Sequence, residues 1–452
     1  MPIIIPANSA AGGGFEVDNS VRLDFASSTR FERTPSSASN RRTWTFSSWL
    51  KKAADENSNA DFQQVFSCPG SGGQERIMFE ANKLTWDFDI PGVDYSVATV
   101  AVQRDHSAFY HIVVTKDTTQ GTEANRVKMY INGVQQTLAE IQLGFPDQNA
   151  EGSINTTAEH QIWAQQDGAE MSGYACETCF VDGTALAADS FGEFDSSSGV
   201  WKPIDVSALT LGTNGYFLNY QDSSALGNSS NSNNYTTANL AAIDQTTDTC
   251  TNNFATLNPI DNGYGSITFI DGNTKGDGAS SGWQPARATV GLSSGKWYWE
   301  VNMSGSGQIG VSNTILDMDN DNSQDLAGVT VFYNAGGGYI RTDGSQVGGT
   351  VGTGDMNTVF GYALDMDNKK LSLYKTNSII VTNTALSTSI TDFALPFFCV
   401  NGGGQYRVNF GNPSTALDNA GVADGNGYGS FEYAPPTGYL AICTKNLSET
   451  DS

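Results

Sequence analysis

Hydrophobic and polar residues alternate along this chain in short runs, and no stretch keeps the three-to-four spacing of an amphipathic helix. The runs are rich in aromatic and β-branched residues and end in Gly, Asn or Asp, the pattern of strands closed by turns. In the first half they lie at 21–25, 41–50, 109–114, 126–133 and 215–220. In the second half they lie at 295–301, 360–365, 370–374 and 406–410. Asn132-Gly133 follows Met129-Tyr130-Ile131 and is the strongest hairpin signal, because both central positions of a type I′ turn need positive φ. The expected fold class is all-β: two tandem antiparallel β-sandwiches.

The segmentation follows the same pattern. Residues 1–14 read as an arm, with the apolar triplet Ile3, Ile4 and Ile5 between prolines and then a glycine run. Such a triplet suits pairing with a sheet edge, either that of a neighbouring chain or that of its own domain. The first domain is placed at 15–222. A Ser/Asn/Thr-rich bridge follows at 223–265, expected to pack between the domains through Phe254, Leu257 and Ile260. The second domain is placed at 266–412. A turn-rich tail at 413–452 is expected to lie over it, ending in a loose Ser-Glu-Thr-Asp-Ser.

Composition narrows the function. The chain has 452 residues and a formal charge of -25, which repels phosphate backbones and anionic membrane surfaces. No run approaches the ~20 apolar residues that span a bilayer. The N-terminus lacks the basic start of a signal peptide, so synthesis in a reducing cytoplasm is expected. Six cysteines are scattered, and the one close pair, Cys176 and Cys179, lies within an apparent strand at 173–182. Small buried thiols are the expectation for them, over a metal or redox role.

The residues bear on several chemistries. Asp87-Phe88-Asp89 puts two carboxylates on one strand face, but the Glu-x-Asp-x-x-Glu run of retaining glucanases is absent. The pair reads as exposed, solubilising carboxylates. Of the three histidines, His111 sits mid-strand as a core residue, and no Gly-x-Ser-x-Gly elbow accompanies any of them. The one cation candidate is Asp317, Asp319, Asp321 and Asp325, whose alternating oxygens suit Ca2+. It departs from an EF-hand at Asn322 and Gly328, and a plain acidic loop is the other reading. Trp44, Trp297 and Trp299 are mid-strand and read as buried. Trp163, Trp201, Trp283 and Tyr339 flank turn residues and are the candidates for a ligand surface, with packing anchors as the plainer reading.

Some motifs carry a resemblance. Arg33-Thr34-Pro35-Ser36-Ser37-Ala38, Trp44-Thr45-Phe46-Ser47 and Val127-Lys128-Met129-Tyr130-Ile131-Asn132-Gly133 make 15–222 similar to a laminin-G or concanavalin-A-like lectin domain. Gly295-Lys296-Trp297-Tyr298-Trp299-Glu300-Val301, Ile309-Gly310-Val311 and Val408-Asn409-Phe410-Gly411 make 277–411 resemble a SPRY domain. With Asp248-Thr249-Cys250 between them and Ala434-Pro435-Pro436 near the end, the chain resembles the lectin-plus-SPRY virion proteins of tailed bacteriophages. The resemblance implies a non-catalytic tail-fibre or tail-tip adhesin in the virion. Its implied partners are other virion proteins and a host surface glycan, with a trimeric homo-oligomer. A capsid or tail decoration protein binding only virion chains is the alternative, and a glycan-degrading enzyme the third.

Overall fold

The computed structural model describes residues 14–53, 62–70, 73–90, 92–165, 170–263, 267–278, 282–320, 322–415 and 418–450. The arm at Ile3, Ile4 and Ile5 and the acid Asp321 lie outside them. The fold is all-β and antiparallel, as expected, and divides into two compact units at Thr251/Asn252.

The first unit stacks two separate sheets. One runs Val134–Gln135, Val127–Ile131, Tyr110–Asp117, Thr43–Lys52, Gly173–Asp182, Ser20–Leu23 and Gln245–Thr246. The other runs Leu138–Gln142, Val93–Thr99, Lys83–Ile90, Gly73–Glu80, Phe62–Gly70, His160–Ile162, Arg30–Arg33 and Thr236–Ala238. Strand alternation sends Trp44, Phe46 and Leu50 of the first sheet and Phe66, Ile77, Phe79 and Trp86 of the second into a common core. Phe46 and Phe66 stack across it at 5.4 Å. Asn132 and Gly133 adopt φ of 48° and 79°, and their turn joins the strands they were expected to join.

The core also holds an ion pair that crosses between the sheets. Lys116 Nζ lies 2.5 Å from Glu75 Oε1, and both side chains are buried. Trp86 Nε1 (3.2 Å) and the Ile154 amide (2.9 Å) also donate to Glu75. All of the carboxylate's close partners are thus donors, which is what a buried charge requires.

The second unit reaches a sandwich by another route. Two long strands, Lys296–Ser312 and Leu395–Asn409, pair along their lengths but break register between Ser304 and Ser306. Gly305, Gly402 and Gly403 occupy that break with φ of 72°, 53° and 78°, a left-handed backbone suited to glycine. The sheet therefore bends and folds over itself. Residues 296–301 pair with Phe360–Asp365, which leads to Lys370–Lys375 and Ser378–Ala385. Residues 308–312 pair with Val329–Tyr333, which leads to Tyr339–Thr342 and Ser345–Val347. The layers meet where Phe332 contacts Phe360 at 4.9 Å and Phe398 stacks on Tyr406 at 5.1 Å.

The segment 223–265 is not one bridge. Thr236–Ala238 and Gln245–Thr246 extend the sheets of the first unit, while Leu257–Asn262 pairs with Trp283–Ala288 in the second. The C-terminal residues are tied to the second unit. Leu440–Ala441 pairs with Trp297 and Tyr298, and Phe431 and Cys443 are buried beside Phe254. Thr444–Thr450 forms a short helix with Leu447 buried, so Ser448, Glu449 and Thr450 belong to it rather than to a loose end.

Candidate ligand-binding site

In the second unit, Phe332 and Ile309 face the core, so Tyr333 and Gln308 point to the outer face of their layer. Register then places Pro285, Cys399, Gln308, Tyr333 and Tyr339 in one outer row across five strands. Trp283 lies two residues from Pro285 on the same face. Its ring sits 6.0 Å from that of Tyr333, which meets Tyr339 edge-on at 5.2 Å. All three rings are half-buried, leaving a continuous aromatic strip partly open to solvent.

The turn Gly336-Gly337-Gly338 makes the strip. Its three residues have φ of 60°, 96° and 71°, and a Cβ on Gly338 would lie 2.1 Å from the Gly352 carbonyl. That turn sets Tyr333 directly opposite Tyr339. Beside the rings, the Arg341 guanidinium lies 5.9 Å from the Tyr333 ring centre, pairs with Asp325 at 2.7 Å and donates to the Gly344 carbonyl.

The loop before the strip explains the acidic run. Leu316 and Met318 pack onto Val329, Val331, Phe397 and Cys399, so the intervening Asp317 and Asp319 point outward and are exposed. Their alternation follows strand-like burial rather than ligand spacing. Asp325 is engaged by Arg341, and no three acids, histidines or cysteines converge to hold a metal among the described residues.

Two of the four aromatic candidates, Trp283 and Tyr339, are thus brought together, and two are not. Trp163 is fully buried in the first unit's core, 6.4 Å from Phe46, and offers no face to a ligand. Trp201 is a packing anchor on the outer face of the first sheet. Its Nε1 donates to His111 Nδ1 at 3.0 Å, and His111 Nε2 lies 2.9 Å from Ser47 Oγ. Gly133 and Gly192 lack a side chain where Trp201 presses on them; a Cβ would come within 2.3 and 2.6 Å of its ring. Burial pushes the His111 imidazole down to about 3.

The first unit's second sheet has a polar outer row, Gln161, Ser67, Arg76, Asp87 and Ser96, in direct register. Asp87 is not the exposed carboxylate expected: it is buried and accepts from Arg76 Nε at 2.8 Å. Burial raises it to about 6 against the pull of Arg76, with Asp94 and Asp89 adding repulsion. Sequence reading missed Tyr333, Gln308 and Arg341. The available signal was the aromatic pair bracketing Asn334-Ala335 and three glycines.

No curated protein matches the sequence. Among solved structures the chain is similar to stonustoxin (20% identity, TM-score 0.28), over 34% of this chain and 27% of that one. It is also similar to the PSpry domain of TRIM65 (15% identity, TM-score 0.29), over 34% of this chain and 91% of that one. A third is the SPRY domain of human HERC1 (14% identity, TM-score 0.27), over 34% of this chain and 96% of that one. At such TM-scores these likenesses carry no functional weight. Residues 26–168, within the first unit, match the Concanavalin A-like lectin/glucanases superfamily.

Proposed function

We propose that this protein is a non-catalytic adhesin of a bacteriophage virion, of the tail-fibre or tail-tip kind, that binds host surface glycan. The observation that carries the glycan reading is the half-open strip of Trp283, Tyr333 and Tyr339. Flat aromatic faces accept the C–H face of a sugar ring and leave its hydroxyls to water. The lectin-like superfamily match supports a binding role for the first unit. The particle and its trimeric state rest on the resemblance of the sequence motifs. Hydrolysis is disfavoured because the chain lacks the glucanase carboxylate run and Asp87 is engaged by Arg76.

The test is binding of the full chain to a glycan array and to host cells. Trp283→Ala and Tyr339→Ala should each weaken binding about tenfold, the loss of roughly 1.4 kcal/mol of stacking. Wild-type protein that is well folded and binds neither surface would remove the adhesin reading.

One observation favours the decoration or adaptor role as a second reading. Ser378–Ala385 is an outer strand paired on one side only among the described residues, with Ile379 49% exposed. An open apolar edge is a template for pairing with another chain. Particles lacking this protein when residues 2–8 are deleted, or when Ile379→Lys is introduced, would support that role.

A further inference from the structure

The aromatic strip borders a polar feature that it does not itself explain. Gln308 stands between Cys399 and Tyr333 in the outer row. It is fully buried, yet neither its Nε2 nor its Oε1 has a hydrogen-bond partner among the described residues. Gln324 reaches the same place from the covering loop. Its Oε1 accepts from Cys399 Sγ at 3.7 Å, while its own Nε2 and the neighbouring Ser323 Oγ have no partner among the described residues. Both residues are at least 99% buried.

A buried carboxamide with neither end satisfied is costly, and a leucine of similar volume would serve packing better. Planar amides beside aromatic rings form a recognisable chemistry. One amide offers a donor and an acceptor side by side, the complement of two neighbouring hydroxyls. The adjacent rings, inclined at 58° and 75° to one another, each supply an apolar face that a pyranose can cover with its C–H groups. The cation beside the strip, Arg341, is already engaged by Asp325 and the Gly344 carbonyl. That leaves it poorly placed to receive a carboxylate or phosphate, and the chain's formal charge of -25 opposes anionic ligands further.

From this we infer that the outer face of the second unit binds a neutral hexopyranose, stacked on a ring of the Trp283, Tyr333 and Tyr339 strip, with a vicinal hydroxyl pair held by the Gln308 carboxamide. The inference deepens the glycan-binding reading and rests on it. Because Gln308 is covered, the sugar enters as the Gln324 side chain turns aside, and the amide becomes the floor of the subsite.

The experiment titrates the full chain with methyl α-glucopyranoside, methyl α-galactopyranoside and methyl α-mannopyranoside, with glucuronate as the anionic control. Binding is followed by tryptophan fluorescence and by ligand-observed NMR. At least one neutral glycoside should bind, and glucuronate should bind at least tenfold more weakly. Gln308→Leu should lower the neutral affinity at least tenfold while its thermal midpoint stays level or rises. Wild-type protein that binds host cells but none of the neutral glycosides overturns the inference and leaves the adhesin reading standing. So does a Gln308→Leu variant that binds sugar like wild type, or one that melts earlier, which marks Gln308 as a water-bridged structural group. Failure of the wild type on host cells and array alike instead strikes the adhesin reading.

Discussion

The two units solve one packing problem differently. The first presses two independent sheets together and places a Lys116–Glu75 pair inside the seam. The second folds one sheet over itself through a glycine bend, and its buried charges hold loops and tail to the sheet. Arg287 pairs with Asp261 and donates to the Leu316 carbonyl, which positions the loop beside the aromatic strip. Glu300 accepts from the amides of Glu432 and Tyr433, both at 2.9 Å, and so fastens the C-terminal segment. Stacked sheets need a seam that fits; a folded sheet needs a bend that tolerates left-handed backbone. The lesson is that the same layer architecture puts its vulnerable residues in different places.

That contrast can be broken experimentally. The largest effect is expected from Lys116→Met, which strands Glu75 in the core and should cost the first unit about 3–5 kcal/mol. Hydrogen exchange should locate the loss there, and Glu75→Gln combined with it should restore most of it. Trp201→Ala should follow at roughly 2–3 kcal/mol, since it empties an anchor against His111 and two glycines. Trp283→Ala should cost the second unit far less, which separates anchor from ligand surface in a urea titration. Gly305→Val places a β-branched residue at φ 72° in the bend and should cost the second unit about 1–3 kcal/mol while leaving the first unchanged.

A smaller effect distinguishes the units by pH. Burial, aided by the charge of Asp205, raises Glu177 in the first unit to about 8. Burial also raises Glu300 in the second unit to about 7, against hydrogen bonds from Glu432 and Tyr433 that favour its charge. An unfolded glutamate titrates near pH 4.3, so above that the unfolded chain has released a proton that each folded unit keeps. Stability therefore falls as pH rises, by at most ~1.4 kcal/mol per pH unit per group. The Glu177 contribution should continue falling to about pH 8, and the Glu300 contribution should level off near 7. Glu177→Gln and Glu300→Gln should each flatten the slope of their own unit; equal slopes in variant and wild type would defeat the assignment. Ile379→Lys should change stability least, within ~0.5 kcal/mol, and act on association alone.

Much of the fold is legible in the sequence. Strand alternation located Trp44, Trp297 and Trp299 in cores, and all three are buried. Asn132-Gly133 announced its hairpin, and the strands it joins pair antiparallel. These features depend on neighbours in the chain, so local pattern suffices. The bend is not legible for the same reason: Ser304-Gly305-Ser306-Gly307 lies inside a 17-residue strand, because a continuous partner strand holds it extended on either side of the break.

The candidate site was only half visible. Neighbouring turn residues singled out Trp283 and Tyr339, which the second unit brings together, but the same rule also chose Trp163 and Trp201, which the first unit buries or anchors. Alternating acids at 317–319 suggested ligands, where packing of Leu316 and Met318 had set the spacing. The sequence by itself determined strand positions, inward-facing residues and tight turns, since each is a matter of period two and local φ. Tertiary structure alone decided which outward rings share a face and which amide lies beneath them. Cross-strand register brings together residues tens of positions apart, and nothing in the one-dimensional pattern specifies that pairing.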